Sequence, residues 1–429
     1  MSDPGRSEIE STQFSRLRAL IAELRRGNAF YRDRLAEAEI DEKNLSSLAD
    51  FSARMPFTSK MDIVWDREEF PPYGSNLTYP LSHYSRYCQS SGTTSTPLPW
   101  LDTNESWAAM LDCWDRVYDA AGVTTGDVIF FAFSFGPFLG FWTAFDAATR
   151  RGNLAIPSGG LSSQARLQVI FTNRATVLCC TPTYALRLGE VLSTLDPAET
   201  GDLAVKTIIV AGEPGGSIPE VRNRISALWR GARVCDHHGM TEVGPITYES
   251  PAQPLNLCLI EEAYYAEILD RDTEQEVAAG ERGELVITTL TRTACPLLRY
   301  RTGDLVQKAW TEGPDGRRIL TLEGGILGRV DEMIVIRGVN VYPTALEKII
   351  RGFPEVAEFQ ITQTTRHHMA ELEVAVEPHT TPPPHVNLEK RIAQALTNAF
   401  ALRIPVRLVA PGSLPRFEFK SKRWVKRTS

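Results

Sequence analysis

Five short segments carry side chains able to bind phosphate, hold a cation or grip a sugar. The first is Gln89-Ser-Ser-Gly-Thr-Thr-Ser-Thr-Pro97, which packs hydroxyls and a glycine into one loop. Ser90, Ser91, Gly92, Thr93 and Thr94 offer backbone N–H and side-chain O–H groups to phosphate oxygens. The Gly-Lys-Ser/Thr ending of a Walker loop is missing, so P-loop chemistry does not transfer, and the same composition also makes a solvated turn. Ala211-Gly-Glu-Pro214 follows an apolar run ending at Val210, where parallel sheets deliver ligand-binding loops; it also reads as a plain strand-ending turn. Asp236-His-His-Gly-Met-Thr-Glu242 brings a carboxylate, imidazoles and a hydroxyl together after a possible short strand at Arg233-Val-Cys235. Cys235, His237 and His238 do not have a standard zinc spacing. Arg299-Tyr-Arg-Thr-Gly-Asp304 ends in a carboxylate suited to accept hydrogen bonds from two adjacent sugar hydroxyls. Finally, Lys420 lies in the basic run Leu414–Arg423, whose composition is also that of a solvated tail.

Such loops need a frame, and the chain between them predicts one. The apolar runs Asp127-Val-Ile-Phe-Phe, Ala175-Thr-Val-Leu-Cys-Cys and Val205-Lys-Thr-Ile-Ile-Val alternate with helix-like stretches at Ser162–Phe171 and Pro219–Trp229. That alternation predicts an α/β sheet. Upstream, Phe14, Leu17, Leu20, Ile21 and Leu24 recur at helical spacing within an amphipathic region from Ile9 to Ala38. From Glu262 onward, strand-like runs at Tyr264–Leu269, Gly283–Leu290 and Arg317–Leu322 alternate with turn residues such as Asp315-Gly316, predicting an antiparallel, barrel-like β part. A fresh unit of about 100 residues starts near Gly328, with strands at Met333–Ile336 and Glu371–Glu377 and helices at Thr344–Gly352 and Leu388–Phe400. The expected architecture is α/β plus a β subdomain: a large domain over residues 1–327 and a small, mobile α+β domain over 328–429.

Composition removes several function classes. With 429 residues, 43% hydrophobic and 23% charged, the chain has room for two or three ordinary globular domains. A formal charge of −7 leaves no positive field to gather nucleic acid. Seven cysteines without paired spacing, two of them adjacent at Cys179-Cys180, predict a reducing, cytoplasmic setting. The polar, acidic start Met1–Glu10 does not have the pattern of a secretion signal. Val128–Phe145 has no charged residue, but Ser134, Gly136-Pro137 and Gly140 interrupt it, so a strand, a turn and a buried helix are expected rather than a membrane span.

Taken in order along one chain, these loops resemble the adenylate-forming superfamily, and most closely its phenylacetate-CoA ligase family. Supporting stretches are Asn28–Arg34, Met55–Lys60, Cys179–Ala185, Gly283–Leu290 and Gly328–Pro343. The resemblance implies that a carboxylate attacks the α-phosphate of ATP to give an acyl-adenylate and pyrophosphate, and that a thiol then takes the acyl group. By similarity, Ser90, Ser91, Gly92, Thr93 and Thr94 cradle the β- and γ-phosphates, Glu242 holds Mg²⁺, and Thr241 bonds the α-phosphate. Glu213, Pro214, Asp236 and His237 line the adenine site beside Gly239 and Met240, and His238 stands where the family usually has tyrosine. Asp304 binds the ribose, Arg329 reaches ribose or phosphate, Asp331 matches the hinge, and Gly338 lies near the thiol channel. Lys420 bridges the substrate carboxylate and the α-phosphate.

Phe135, Phe138 and Phe141, with Ala211 and Gly212, are expected beside the acyl pocket, which points to an aromatic acid; ordinary core packing is the other reading of these rings. The implied partners are a small carboxylic acid, ATP, Mg²⁺ and coenzyme A, with a carrier-protein thiol or an amine as rival acceptors and no membrane or nucleic acid. Homodimers are common in the family. Three positions depart from its pattern: Ser95 and Thr96 replace a common Gly-Lys, and Phe419 replaces the glycine before the lysine. Those departures motivate a rival reading as a non-catalytic nucleotide sensor. A serine hydrolase using Ser90 or Ser91 has no nucleophile-elbow motif to support it.

Overall fold

The structure is a computed structural model, and it describes residues 4–90, 97–195, 203–313, 316–330, 332, 334–336, 339–366, 369–379, 387–417 and 421–427. The expected N-terminal helical region consists of two helices, α1 (Pro4–Gly27) and α2 (Ala29–Glu37). Asn28 breaks it by leaving helical geometry and accepting the Tyr31 N–H at 3.0 Å, the usual N-cap role of asparagine. Leu17, Leu20, Ile21 and Leu24 form the buried stripe, packed on Tyr31, Leu35 and Leu298. Two further helices, α3 (Leu48–Arg54) and α4 (Lys60–Glu69), lead into an antiparallel pair, β1 (Tyr84–Gln89) and β2 (Pro99–Thr103).

The predicted α/β sheet follows. In chain order its elements are α5 (Asn104–Ala120), β3 (Val128–Phe131), α6 (Leu139–Arg150), β4 (Leu154–Pro157), α7 (Ser163–Thr172), β5 (Val177–Cys180), α8 (Pro182–Thr194), β6 (Thr207–Val210), α9 (Pro219–Leu228) and β7 (Arg233–Asp236). All five strands run parallel in the order β4-β3-β5-β6-β7. Continuous apolar runs form these strands because both faces are covered. Ile129, Phe131, Cys179, Ile209 and Cys235 pack on one face with α5 and α6, while Phe130, Leu178, Cys180, Ile208, Val210 and Val234 pack on the other. The carboxyl ends of β5, β6 and β7 therefore deliver Thr181, Ala211–Pro214 and His237–Glu242 along one edge. Val128–Phe145 is the expected strand, turn and helix start, and no described helix is long and apolar enough to cross a membrane.

The β part departs from expectation. After β8 (Gly239–Met240) and β9 (Gly244–Pro245) come β10 (Thr247–Glu249), β11 (Leu257–Leu259), β12 (Tyr264–Leu269), β13 (Arg282–Thr289), β14 (Tyr300–Glu312), β15 (Arg318–Leu322) and β16 (Gly328–Arg329). They form an open antiparallel sheet, β10-β11-β15-β14-β13-β12, with β16 on β14. The predicted barrel does not close. The long β14 pairs with β13 between Tyr300 and Gln307 and with β15 between Lys308 and Glu312, so the sheet fans out from it. Gly303, at φ +75°, lies where the β13–β14 register shifts between Arg301 and Leu305, an irregularity that suits a residue without a Cβ.

The small domain holds β17 (Ile334–Ile336), β18 (Val339–Val341), α10 (Pro343–Arg351), β19 (Val356–Arg366), β20 (Met369–Pro378), α11 (Leu388–Phe400), β21 (Val406–Leu408) and β22 (Trp424–Arg427). Its sheet runs β21-β20-β19-β22 over a core that includes Leu346, Ile350, Phe359, Val374, Ile392 and Leu396. Strands β18, β19, β21 and β22 are not among those expected from the sequence; in β19, the longest of them, Glu, Gln and Thr residues dilute the apolar pattern. The inward set of β19 is Val356, Phe359 and Ile361.

Candidate active site

The register of β14 against β16 sets Asp304 opposite Arg329. Arg329 Nη1 donates to Asp304 Oδ1 at 3.0 Å, and His238 Nε2 lies 2.9 Å from Oδ2. Asp304 is 2% exposed. Burial alone works against its charge, but His238, Arg329 and the Thr302 hydroxyl hold the carboxyl below the usual carboxylate range. The result is a buried, ionised acceptor, the chemistry that recognises a vicinal diol. The rest of the Arg299–Asp304 segment is structural: Arg299 pairs bidentately with Glu267 at 3.0 Å, Tyr300 is in the core, and Arg301 pairs with Glu284.

The Thr241-Glu242 loop is held by a residue that sequence reasoning missed. Arg292 donates from Nη1 to the Thr241 carbonyl at 2.8 Å and the Glu242 carbonyl at 2.9 Å. Its Nε and Nη2 meet both oxygens of Asp102 on β2, at 2.8 and 2.6 Å, and both side chains are fully buried. The only signal in the chain is a lone charge in each of two apolar neighbourhoods, Pro99-Trp-Leu-Asp102 and Leu290-Thr-Arg292. Glu242 is itself buried, with Arg67 as a charged neighbour. Among the described residues no three metal-ligating side chains gather. One carboxylate completed by phosphate oxygens and water fits Mg²⁺, which binds through one or two carboxylates and keeps several waters.

Other predicted positions divide into those brought to this edge and those with different partners. Ser90 closes the base of the β1–β2 hairpin: its hydroxyl accepts the Leu98 N–H at 3.0 Å, and its own N–H donates to the Leu98 carbonyl at 3.0 Å. Gln89 N–H donates to the Pro137 carbonyl at 2.7 Å, joining the hairpin to the phenylalanine-rich loop. His237 turns its ring edge-on to Trp114, with centroids 4.5 Å apart, and burial pushes its pKa down to about 3, so it is neutral. Asp236 accepts from the Ser217 hydroxyl at 2.6 Å; enclosure first, and then Glu249, push its carboxyl up to about 7. Gly239 and Met240 pair with Pro245 and Gly244. Gly212 takes φ +91° at the turn after Ala211, before Glu213-Pro214.

Glu213 accepts the Thr183 N–H at the start of α8 at 2.8 Å and the Ser421 N–H at 2.7 Å. Phe131 and Phe133 are core, whereas Phe135, Phe138 and Phe141 are partly exposed. Phe141 stacks on Phe133 at 4.1 Å, and Phe135, at φ +52°, sets its edge against Trp142 at 5.1 Å. Ser91, Gly92, Thr93, Thr94, Ser95, Thr96, Asp331, Gly338, Phe419 and Lys420 lie outside the described residues.

The chain matches the family descriptions "AMP-binding enzyme" over residues 83–291 and "AMP-binding enzyme C-terminal domain" over 338–427. It is 30% identical to the phenylacetate-coenzyme A ligase of Thermus thermophilus over 435 residues, covering 96% of this chain and 95% of the relative. It belongs to the phenylacetate-CoA ligase family of adenylate-forming enzymes. The protein is thus an AMP-forming acid–CoA ligase, which activates a carboxylic acid with ATP and transfers the acyl group to coenzyme A. Among solved structures, 2-hydroxyisobutyryl-CoA ligase in its postadenylation state with 2-HIB-AMP superimposes with a TM-score of 0.91 at 28% identity, covering 98% of this chain and 90% of that one. The same ligase with 2-HIB-AMP and CoA in its thioesterification state, with the same coverage of both chains and 29% identity, gives 0.72. Sequence identity is nearly equal in the two comparisons, 28% and 29%, so the difference lies in conformation. The present ligase has its two domains arranged as in the postadenylation structure.

Proposed function

We propose that the ligase acts on an aromatic carboxylic acid with the help of Mg²⁺. The observation that carries this reading is the placement of three partly exposed rings, Phe135 and Phe138 on the loop bonded through Pro137 to the base of the β1–β2 hairpin and Phe141 at the start of α6 beside it. A planar apolar substrate stacks on such rings, with its carboxylate toward the hairpin. Ala211 and Gly212 bound the other side of this pocket. Bound ATP supplies the electrophilic α-phosphate, and Mg²⁺ offsets phosphate charge.

The chain's own groups do the rest. Asp304 holds the ribose hydroxyls with Arg329 beside it, and His238 lies against the base. Pro214, Asp236, Gly239 and Met240 complete the nucleotide wall. Glu242 presents its carboxylate to Mg²⁺, Thr241 bonds the α-phosphate, and Ser90–Thr94 cradle the outer phosphates. Lys420 draws the acid carboxylate toward phosphorus. The domain boundary falls at residues 327/328 with Asp331 as hinge, Gly338 lies by the thiol path, and the ligase works in the cytoplasm.

The test is pyrophosphate release with ATP, Mg²⁺ and a panel of aromatic and aliphatic acids, with and without coenzyme A, beside Lys420→Ala. Release with aromatic acids that is lost in the variant and rises with coenzyme A supports the proposal. Equal or better release with aliphatic acids overturns the aromatic assignment.

A further inference from the structure

The contact between Glu213 and Ser421 joins the two domains of the ligase and is built for a purpose other than holding a base. Glu213 follows β6 in the large domain, while Ser421 directly follows Lys420 in sequence. One carboxylate oxygen takes the Thr183 N–H, one of the unpaired donors in the first turn of α8, and the other takes the Ser421 N–H, at 2.8 and 2.7 Å. Both oxygens are engaged by backbone donors.

A second contact lies beside it. Arg423 Nη1 reaches the Thr183 hydroxyl at 3.3 Å from within a buried ion cluster of the small domain, where Arg423 pairs with Glu358 at 2.7 Å and Glu347 at 3.2 Å. Arg423 is therefore rigidly tied to its own domain while touching the other. On the far side of α8, Arg224 of α9 donates to the Val356 carbonyl at 2.6 Å and lies 2.7 Å from His379 Nε2. These contacts exist in the domain arrangement that matches the postadenylation structure, which is distinct from the thioesterification arrangement.

We propose that Glu213 is a positioning residue: a latch that holds the small domain in the adenylation arrangement by anchoring the chain one residue after Lys420, and that must release before thioester formation. The proposal rests on the reading of Lys420 as the adenylation lysine. It assigns Glu213 a role in domain arrangement rather than in contact with adenine. A backbone anchor suits that task, because adjacent Cα atoms are about 3.8 Å apart and the anchor limits the reach of the neighbouring residue.

The experiment compares wild type with Glu213→Ala and, from the other side of the bond, Ser421→Pro, which removes the donor. Each is assayed for acid-dependent pyrophosphate release and, separately, for thioester formation from a chemically prepared acyl-adenylate with coenzyme A. Domain arrangement is read by distance measurement between labels on Ser193→Cys and Lys390→Cys, both exposed, since the seven native cysteines are buried. A lost hydrogen bond to a charged group corresponds to roughly a tenfold to hundredfold fall in adenylation kcat.

The expected result is that fall in both variants, no loss in thioester formation, little change in KM for ATP, and a distance distribution shifted away from that of wild type. The combination Glu213→Ala with Ser421→Pro should be no worse than either alone. A raised KM for ATP with an unshifted distance distribution in Glu213→Ala would make it an adenine contact and overturn the latch. Absence of pyrophosphate release by wild type with every acid would instead count against the reading of the reaction, and the distance measurement would still decide the latch.

Discussion

The Thr241-Glu242 loop and the segment that resumes at Ser421 serve the same reaction but are held in opposite ways. The first is fixed by Arg292 and Asp102, an ion pair buried between β2 and the loop after β13, with no exposed edge. The second is tied to the large domain by one hydrogen bond, from the Ser421 N–H to the Glu213 carboxylate, and by one contact from Arg423 to the Thr183 hydroxyl. A buried ion pair is costly to open because each partner would be left charged in a medium that solvates it poorly. Backbone donors at a domain face can exchange Glu213 for water at little cost. The comparison teaches that what must stay in place through both half-reactions is tied by buried charge, and what must move is tied by bonds that water can replace.

Breaking the permanent tie should have the largest effect. Arg292→Met leaves Asp102 buried and unpaired, which destabilises by about 3–5 kcal/mol; adding Asp102→Leu should restore much of it. Urea unfolding of the single and double variants checks this, and a single-variant loss below about 1 kcal/mol would put the pair in the weak class of surface bridges. On the movable side, Lys420→Ala should lower adenylation by roughly 10²–10³-fold, as loss of one charge-stabilising donor does, without a comparable loss of stability. Thioester formation from preformed adenylate should suffer less, and equal losses in both half-reactions would remove the lysine from the first step.

The Asp304 corner belongs with the permanent group. Asp304→Asn removes a charged acceptor and should raise KM for ATP by roughly tenfold to a hundredfold. It should also erase most of the discrimination between ATP and 2′-deoxy-ATP, and unchanged discrimination would separate Asp304 from the ribose. The effect confined to a pH window concerns Asp236, whose carboxyl is raised from 3.8 to about 7 by enclosure and by Glu249. Between those values the folded state keeps a proton that the unfolded state has lost, so stability falls as pH rises through that window. Asp236→Asn should flatten this part of the pH–stability curve; an identical slope in both proteins would assign it to other groups.

Much of the frame could be read from the chain. The runs at β3, β5 and β6 are short, apolar and bounded by polar turns, and burial of both faces leaves few other solutions for them. Helices α7, α9, α10 and α11 fall within a few residues of the stretches expected to form them. The split at Asn28 turned on a single cap whose side chain also needs Asn76 and Thr78, about fifty residues away. Among the described residues of β19, Val356, Phe359 and Ile361 join the core cluster with polar residues between them, which hides the strand in the sequence, and the β sheet stays open because closure depends on how β14 distributes its partners along its length.

The ligase's sequence by itself determined the types of group available, the order of the loops and their places at strand ends, because these follow from local pattern and chain connectivity. Tertiary structure alone decided which groups meet. Arg292 reaches Asp102 across 190 positions of chain, His238 rather than His237 comes to Asp304, and Glu213 finds the N–H that follows Lys420. Each pairing depends on register and on packing between distant elements. Those are set by burial of the whole core and leave no mark in the spacing of nearby residues.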